Sequence, residues 1–262
     1  MPQTSPLPPM GAPRTPTRWV RPPRTPLGWL FAALAGLVVV AALAVAPWLV
    51  WPDVAHLATE NPGRTAFMAF REARERDKGK PYGVTQQWVP LPRISQYVVM
   101  AVTIAEDDAF WSHDGFDTGA MWDALERNVA RGEIKAGGST ITQQLAKNLF
   151  FTPERSLLRK AREAVVAARL ERALTKKRIL ELYLNVAEWG RGVFGIEAAA
   201  RHYFGVSAAG LSQEQAARLA AVLPSPLRWN PAGDSRVVQK RARIILGRMM
   251  RRLGDGQGRA AP

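Results

Sequence analysis

The chain has 262 residues, 47% of them apolar and 22% charged, enough to bury a core and too apolar for a disordered polymer. It has no Cys, which excludes a disulfide framework, a thiol nucleophile and a Cys-ligated metal. A formal charge of +14 asks for an anionic partner: nucleic acid, lipid head groups or a phosphorylated substrate.

Residues 1–26 are rich in Pro and carry Arg14, Arg18, Arg21 and Arg24 without an acid, a composition that predicts disorder. Leu27 to Trp51 then runs without a charge. At about 1.5 Å per residue it reaches about 37 Å, enough to cross a hydrocarbon core of about 30 Å. Trp29, Trp48 and Trp51 stand near its ends, where amphipathic rings favour the membrane interface. The stretch is too long for a cleaved signal and predicts one transmembrane helix. Arg before the span and none within it predict a cytoplasmic N-terminus, with the rest of the chain outside the cytoplasm. Nucleic acid is then excluded as a partner, and lipid phosphate or a diphosphate substrate remains.

Residues 52–84 read as a linker and membrane-proximal segment with a short helix over Phe67–Lys78; 80–93 is extended and Pro-punctuated, one strand at most. From Ser95 onward helix follows helix: Ser95 to Asp107, Gly119–Arg131, Thr140–Phe151, Ser156–Leu174, Lys176–Ala187, Ile196–Phe204, Gln213–Leu223 and Ser235–Leu253. Ser212 opens a capping box before the seventh. The expectation is a mainly α domain over 85–253, with a disordered tail over 254–262.

Three stretches carry candidate chemistry. A helix rich in Val ends in Glu106, Asp107 and Asp108 among Phe110, Trp111 and Phe116. Acids at a helix C-terminus oppose the macrodipole, and a carboxylate against poorly hydrated rings is raised toward neutrality, as a general base requires. A solvated helix end is the ordinary alternative. After Gly137-Gly138, Thr140, Gln144 and Lys147 fall on one helical face, a row of hydrogen-bonders ending in a cation. That row suits a sugar and its phosphate, although an ordinary polar face has the same spacing. In the third stretch Arg155, Arg159, Lys160 and Arg162 surround Glu163, either a fixed negative charge or a surface ion pair. Paired carboxylates suit chemistry at a glycosidic carbon, and neighbouring cations suit a departing diphosphate.

Together these stretches resemble the monofunctional biosynthetic peptidoglycan glycosyltransferases, or transglycosylases. The motif EDxxFxxHxG runs from Glu106 to Gly115 and GxSTITQQLxKN runs from Gly137 to Asn148. Arg159, Lys160 and Glu163 match the third motif, with Arg155 ahead of them. Lys176 to Gly205 matches KKRILELYLN and its glycine-rich continuation, and Ala221–Pro231 matches the last motif with altered spacing around Pro226. The resemblance covers about residues 85–250.

It implies a mainly α, lysozyme-like domain with head and jaw lobes, acting on lipid II and the growing glycan strand. In that scheme Glu106 is the base that activates the acceptor sugar hydroxyl. Lys147 and Arg155 bind the donor diphosphate, and Glu163 positions the donor or holds a divalent cation, Mg²⁺ or Mn²⁺. Ser139, Thr140, Gln143 and Gln144 line the sugar sites. Asn185 and Arg191, with Gly190, Gly192 and Gly195, shape the cleft wall. Asp107, Phe110, His113, Gly138, Asn148, Arg159 and Lys160 complete the implied substrate-binding set. Phe116, Met121, Trp122 and Leu125 suit either a lobe dipping into lipid or a core.

The chain departs from many bifunctional relatives in carrying Met121-Trp122-Asp123 where they have an Arg. It also lacks the S-x-x-K, S-x-N and K-T-G set of a transpeptidase. Expected partners are membrane phospholipids and proteins of cell-wall synthesis or division. Two rival readings are a membrane-anchored lysozyme-like lytic enzyme and a basic lipid-binding scaffold whose last helix, Arg-rich from Arg236 to Arg252, meets head groups.

Overall fold

Side-chain caps decide where the helices begin. In the computed structural model, which describes residues 25–132, 138–154 and 156–254, Thr65, Ser95, Asp117, Thr140, Ser156, Thr175 and Ser212 each accept a backbone N–H from the first turn that follows. Those caps open α2 (Ala66–Arg76), α3 (Gln96–Glu106), α4 (Thr118–Arg131), α5 (Ile141–Phe150), α6 (Leu157–Ala173), α7 (Lys176–Val186) and α9 (Gln213–Val222). Ser212 and Gln215 form the expected capping box. The segments expected to be disordered lie almost wholly outside the described residues, as do Gly137 and Arg155.

The chain forms two units, up to Leu43 and from Ala44 onward. The first carries most of α1 (Pro26–Val45). Among the described residues, Pro26–Leu49 is the one helix long and apolar enough to cross a membrane, with a mean hydropathy of 2.6 and none of it buried.

In the second unit α3, α9 and α10 (Arg236–Gly254) pack together, and α5 packs against α2, α6 and α7. The core joins Val98, Val102, Ile141, Leu145, Leu170, Leu182 and Trp189, all fully buried. Each such side chain contributes about 1.5–3 kcal/mol by leaving water. Residues 52–84 are more than the expected linker: Val54, Leu57 and Met68 are buried in the domain, and α2 lies against α5.

Strand is scarce but larger than expected. β1 (Thr85–Gln86), β2 (Glu188–Gly190) and β3 (Val193–Phe194) form a sheet in the order β1-β3-β2. Thr85 pairs with Val193 in a parallel ladder, and Glu188 pairs with Phe194 in an antiparallel, bulged one. Strands this short have no readable alternation; long-range pairing makes them. Gly195, at φ +80°, then admits α8 (Ile196–Phe204), because a Cβ there would meet the Asn185 carbonyl oxygen at 2.8 Å.

Candidate active site

The three acids at the end of α3 have three different fates. Asp107 leaves the helix, at φ −164°, and its Oδ2 accepts the Ile141 N–H at 2.9 Å, so it ties α3 to the start of α5. Its Oδ1 lies 2.9 Å from His113 Nε2. His113 Nδ1 accepts the Gly115 N–H at 3.0 Å, so the ring proton sits on Nε2 and is donated to Asp107. Asp108 turns to α10 and meets Arg248 at 2.6 Å and Arg252 at 2.5 Å. Arg248 also donates to the Ile104 carbonyl at 3.1 Å, satisfying an acceptor of the last turn. The oddity of acids at a helix C-terminus is thus resolved by cations from another helix.

Glu106 is held from α5 and α7. Its Oε2 accepts from Gln144 Nε2 at 2.9 Å, and Gln144 Oε1 accepts from the Tyr183 hydroxyl at 3.0 Å. The amide of Gln144 is therefore fixed in one sense, its NH₂ toward the carboxylate. Burial raises the pKa of Glu106, an effect opposed by the Gln144 hydrogen bond and by the charges of Arg241 and Lys147. Burial likewise raises Asp107, against His113 and the Ile141 N–H. Burial, with Glu106 and Asp107 nearby, holds the Tyr183 phenol well above its usual range, so it stays a donor.

The cations of this region come from α5 and α6. Lys147, one turn beyond Gln144 on α5, is pushed down by burial and by Arg159 and is supported by Glu106. Lys160 of α6 donates to Ser139 Oγ at 2.8 Å and to Gln143 Oε1 at 3.1 Å. Burial, Lys147 and Arg159 bring its pKa down to about 8. Glu163 is only 2% exposed; it pairs with Arg159 and lies 3.5 Å from Lys160 Nζ. Arg155, expected beside Lys147, lies outside the described residues.

The implied divalent cation does not fit Glu163, whose carboxylate is already held by two cations. Among the described residues no group of three His, Asp or Glu gathers to hold a metal. The part of Glu163 visible in the structure is to anchor Arg159 and Lys160.

Two cavities meet at Gly138 and Ser139. One, of about 400 Å³, has Glu106, Asp107 and Asp108 in its wall with Asp117, Asp123, Arg127 and Arg248. The other, of about 620 Å³, is lined by Phe116, Met121, Trp122, Leu125 and Ala164 with Lys160 at its edge. Gly138 keeps the junction close: a Cβ there would meet Met121 Cα at 3.0 Å. Met121 and Leu125 are half exposed and Trp122 more so, which settles them as surface and not core.

The structure brings Glu106, Gly138, Ser139, Gln143, Gln144, Lys147, Arg159, Lys160 and Glu163 into this region and gives other expected residues different work. Phe110 is fully buried beneath the Lys176 ammonium, 4.7 Å above its ring, and is a core residue. Thr140 caps α5 and donates to the Gly115 carbonyl at 2.7 Å, joining the first two motifs. Asn148 is buried on α5. Asn185, fully buried, is corrected from a cleft residue to a core brace. It takes the Val89 N–H at 2.9 Å and donates to the carbonyls of Val89 and Glu181 at 2.8 Å. Arg191 faces out and pairs with Glu75 at 2.6 Å. Sequence reading missed Tyr183, Arg71, Glu188, Arg127 and Arg248. Arg248 sits in a basic helix with no site signal, and Arg71 lies ahead of every motif.

Residues 75–250 match the transglycosylase family model, two thirds of the chain. A biosynthetic peptidoglycan transglycosylase of Dechloromonas aromatica (strain RCB) is 48% identical over 221 residues, covering 84% of this chain and 93% of that protein. Those of Nitrosospira multiformis and Thiobacillus denitrificans are 43% and 44% identical, over 81% and 88% of this chain and 93% and 95% of theirs. With its helical, lysozyme-like domain and its acid-and-cation cleft, the chain belongs to the transglycosylase family and is a peptidoglycan glycosyltransferase.

Proposed function

We propose that the protein polymerises lipid II into β-1,4-linked glycan with inversion at the anomeric carbon and release of undecaprenyl diphosphate. The Glu106 carboxylate takes the proton of the acceptor GlcNAc 4-hydroxyl as that oxygen bonds to the anomeric carbon of the lipid-linked chain. The bond from that carbon to the diphosphate breaks, and the electron pair leaves with the phosphate oxygen. One observation carries this reading: Gln144 of α5 holds the Glu106 carboxylate at 2.9 Å, and Lys147, one turn further along the same helix, is desolvated with it and feels its charge. A raised carboxylate is matched to accepting a proton near neutrality. Lys147, Lys160 and Arg159 oppose the charge that grows on the leaving diphosphate.

Ser139 and Gln143 hold Lys160 while offering their remaining polar groups to sugar hydroxyls. The apolar cavity of Met121, Trp122 and Leu125, with Lys160 at its edge, suits a polyprenyl chain whose diphosphate meets the ammonium. In this reading α1 anchors the protein in the inner membrane with its N-terminus in the cytoplasm and the catalytic unit in the periplasm. Phospholipids border the apolar lobe, and cell-wall synthesis or division proteins are its protein partners. Lysines do not serve hydrolysis of a neutral glycan, which sets the lytic reading aside.

The test is incubation of the purified chain with labelled lipid II and, separately, with finished glycan. Polymer from the first is expected. Muropeptides released from the second, without polymer from the first, would overturn the reading.

A further inference from the structure

One guanidinium grips the end of α3 on both sides of Glu106. Arg248 of α10 donates to the Ile104 carbonyl at 3.1 Å and meets the Asp108 carboxylate at 2.6 Å, two residues before the acid and two after it. The same side chain stands in the wall of the cavity of about 400 Å³ that Glu106 lines. Arg248 is 37% exposed and Asp108 49%, and an ion pair this open to water contributes little to stability. The two contacts engage Nη1 and Nη2, while a guanidinium has five N–H groups, so donors remain for a third partner.

Most other polar side chains in that wall already serve the frame. Asp107 holds His113 and the Ile141 N–H, and Asp117 caps α4 by accepting the Ala120 N–H at 2.8 Å. Thr140 caps α5, and Ser139 accepts from Lys160. Asp108 is shared between Arg248 and Arg252. Asp123 and Arg127 are exposed on α4. In the lipid II reading the donor's polyprenyl chain takes the apolar cavity, with its diphosphate at Lys160. The acceptor sugar then reaches Glu106 through the polar cavity, which meets the first at Gly138 and Ser139. Its hydroxyl and acetamido oxygens accept hydrogen bonds. A guanidinium already fixed at two nitrogens loses little rotamer freedom in making one more bond, so the contact is preorganised.

We propose that Arg248 is an acceptor-binding residue: it spans the end of α3 around Glu106 and donates its remaining N–H groups to oxygens of the acceptor sugar in the polar cavity. The proposal rests on the lipid II reading and adds to it a residue of the last helix, outside the motifs.

The experiment couples a labelled lipid II whose terminal 4-hydroxyl is blocked, a donor that cannot accept, to unlabelled lipid II. The full chain is used in lipid vesicles, and each substrate is varied in turn. Arg248→Gln should raise the acceptor KM about tenfold or more, as loss of one hydrogen bond from a charged group requires, while the donor KM moves less than about twofold. Arg252→Gln is the control, because Arg252 also holds Asp108 but is not among the residues lining the cavity. It should leave both KM values near wild type. An unmoved acceptor KM in folded Arg248→Gln protein would overturn the proposal, as would a donor KM that rises equally. An Arg252→Gln protein with the same acceptor defect would also overturn it, since the effect would then pass through Asp108. Should Arg248→Gln fail to fold, Arg248→Lys keeps the charge and loses the planar fork; a raised acceptor KM there supports the contact, and a wild-type value overturns it. Wild-type protein that couples neither pair would instead overturn the lipid II reading.

Discussion

Replacing Glu106 by Gln separates chemistry from stability. The amide is isosteric and still accepts from Gln144 Nε2, so the Tyr183–Gln144 relay stays in place. The proton acceptor is lost, and general-base catalysis accounts for about 10²–10⁴ in rate. Stability should move the other way. Burial raises the folded pKa of Glu106, so the charged form is disfavoured in the native state and stability is lost as pH rises from the unfolded value through the higher folded one. Burial already outweighs the Gln144 hydrogen bond and the neighbouring cations in that balance. Gln should therefore leave the Tm unchanged or raise it at neutral pH, each kcal/mol gained being about 2–4 °C for a domain of this size. The assays are polymer formation from labelled lipid II and a thermal melt on the same sample. Turnover within tenfold of wild type in folded protein would remove Glu106 from the mechanism. A Tm lowered by several degrees would refute the burial argument.

Lys160 has a pKa of about 8, lowered chiefly by burial, so its charge is present below that value and lost above it. Donor KM should rise as pH climbs through about 8, and a flat profile from neutral to alkaline pH would exclude Lys160 from diphosphate binding. Lys147→Ala should raise donor KM or lower kcat/KM by at least tenfold, as loss of a charge-assisted phosphate contact of about 1.5–3 kcal/mol requires. A change under threefold in steady-state kinetics would return Lys147 to an ordinary polar helix face. Asn185→Ala removes three hydrogen bonds and strands the buried Val89 N–H and carbonyl, a cost of about 2–4 kcal/mol seen in denaturant unfolding. Wild-type stability with impaired substrate binding would restore Asn185 to the cleft.

Helix boundaries were legible because caps are local. Thr65, Asp117, Thr140 and Ser212 act on N–H groups two or three residues away, and the helices start where those residues stand. The acid run at 106–108 was legible as an anomaly, although its division of labour was not. What Asp107 and Asp108 bind depends on Ile141, His113 and Arg248, none of them within a helical turn. The polar residues of the second motif stood out in the same way, but Thr140 and Asn185 show how a motif residue can serve the frame in place of the substrate.

The resemblance in the motifs singled out Glu106; from the order of residues alone came the apolar first helix, the helical character of the domain, the anomalous acid run at 106–108 and the polar helical row ending in Lys147. These follow from composition, period and spacing, all properties of neighbours in the chain. Only folding joined Arg71 of α2 to Glu188 of β2, set Tyr183 behind Gln144, and buried Asn185 against Val89. Those contacts link residues dozens of positions apart, and burial changes proton affinity only once the chain has closed over the group. A charge pattern can therefore name the candidates, while desolvation and long-range pairing decide which of them carries a usable proton.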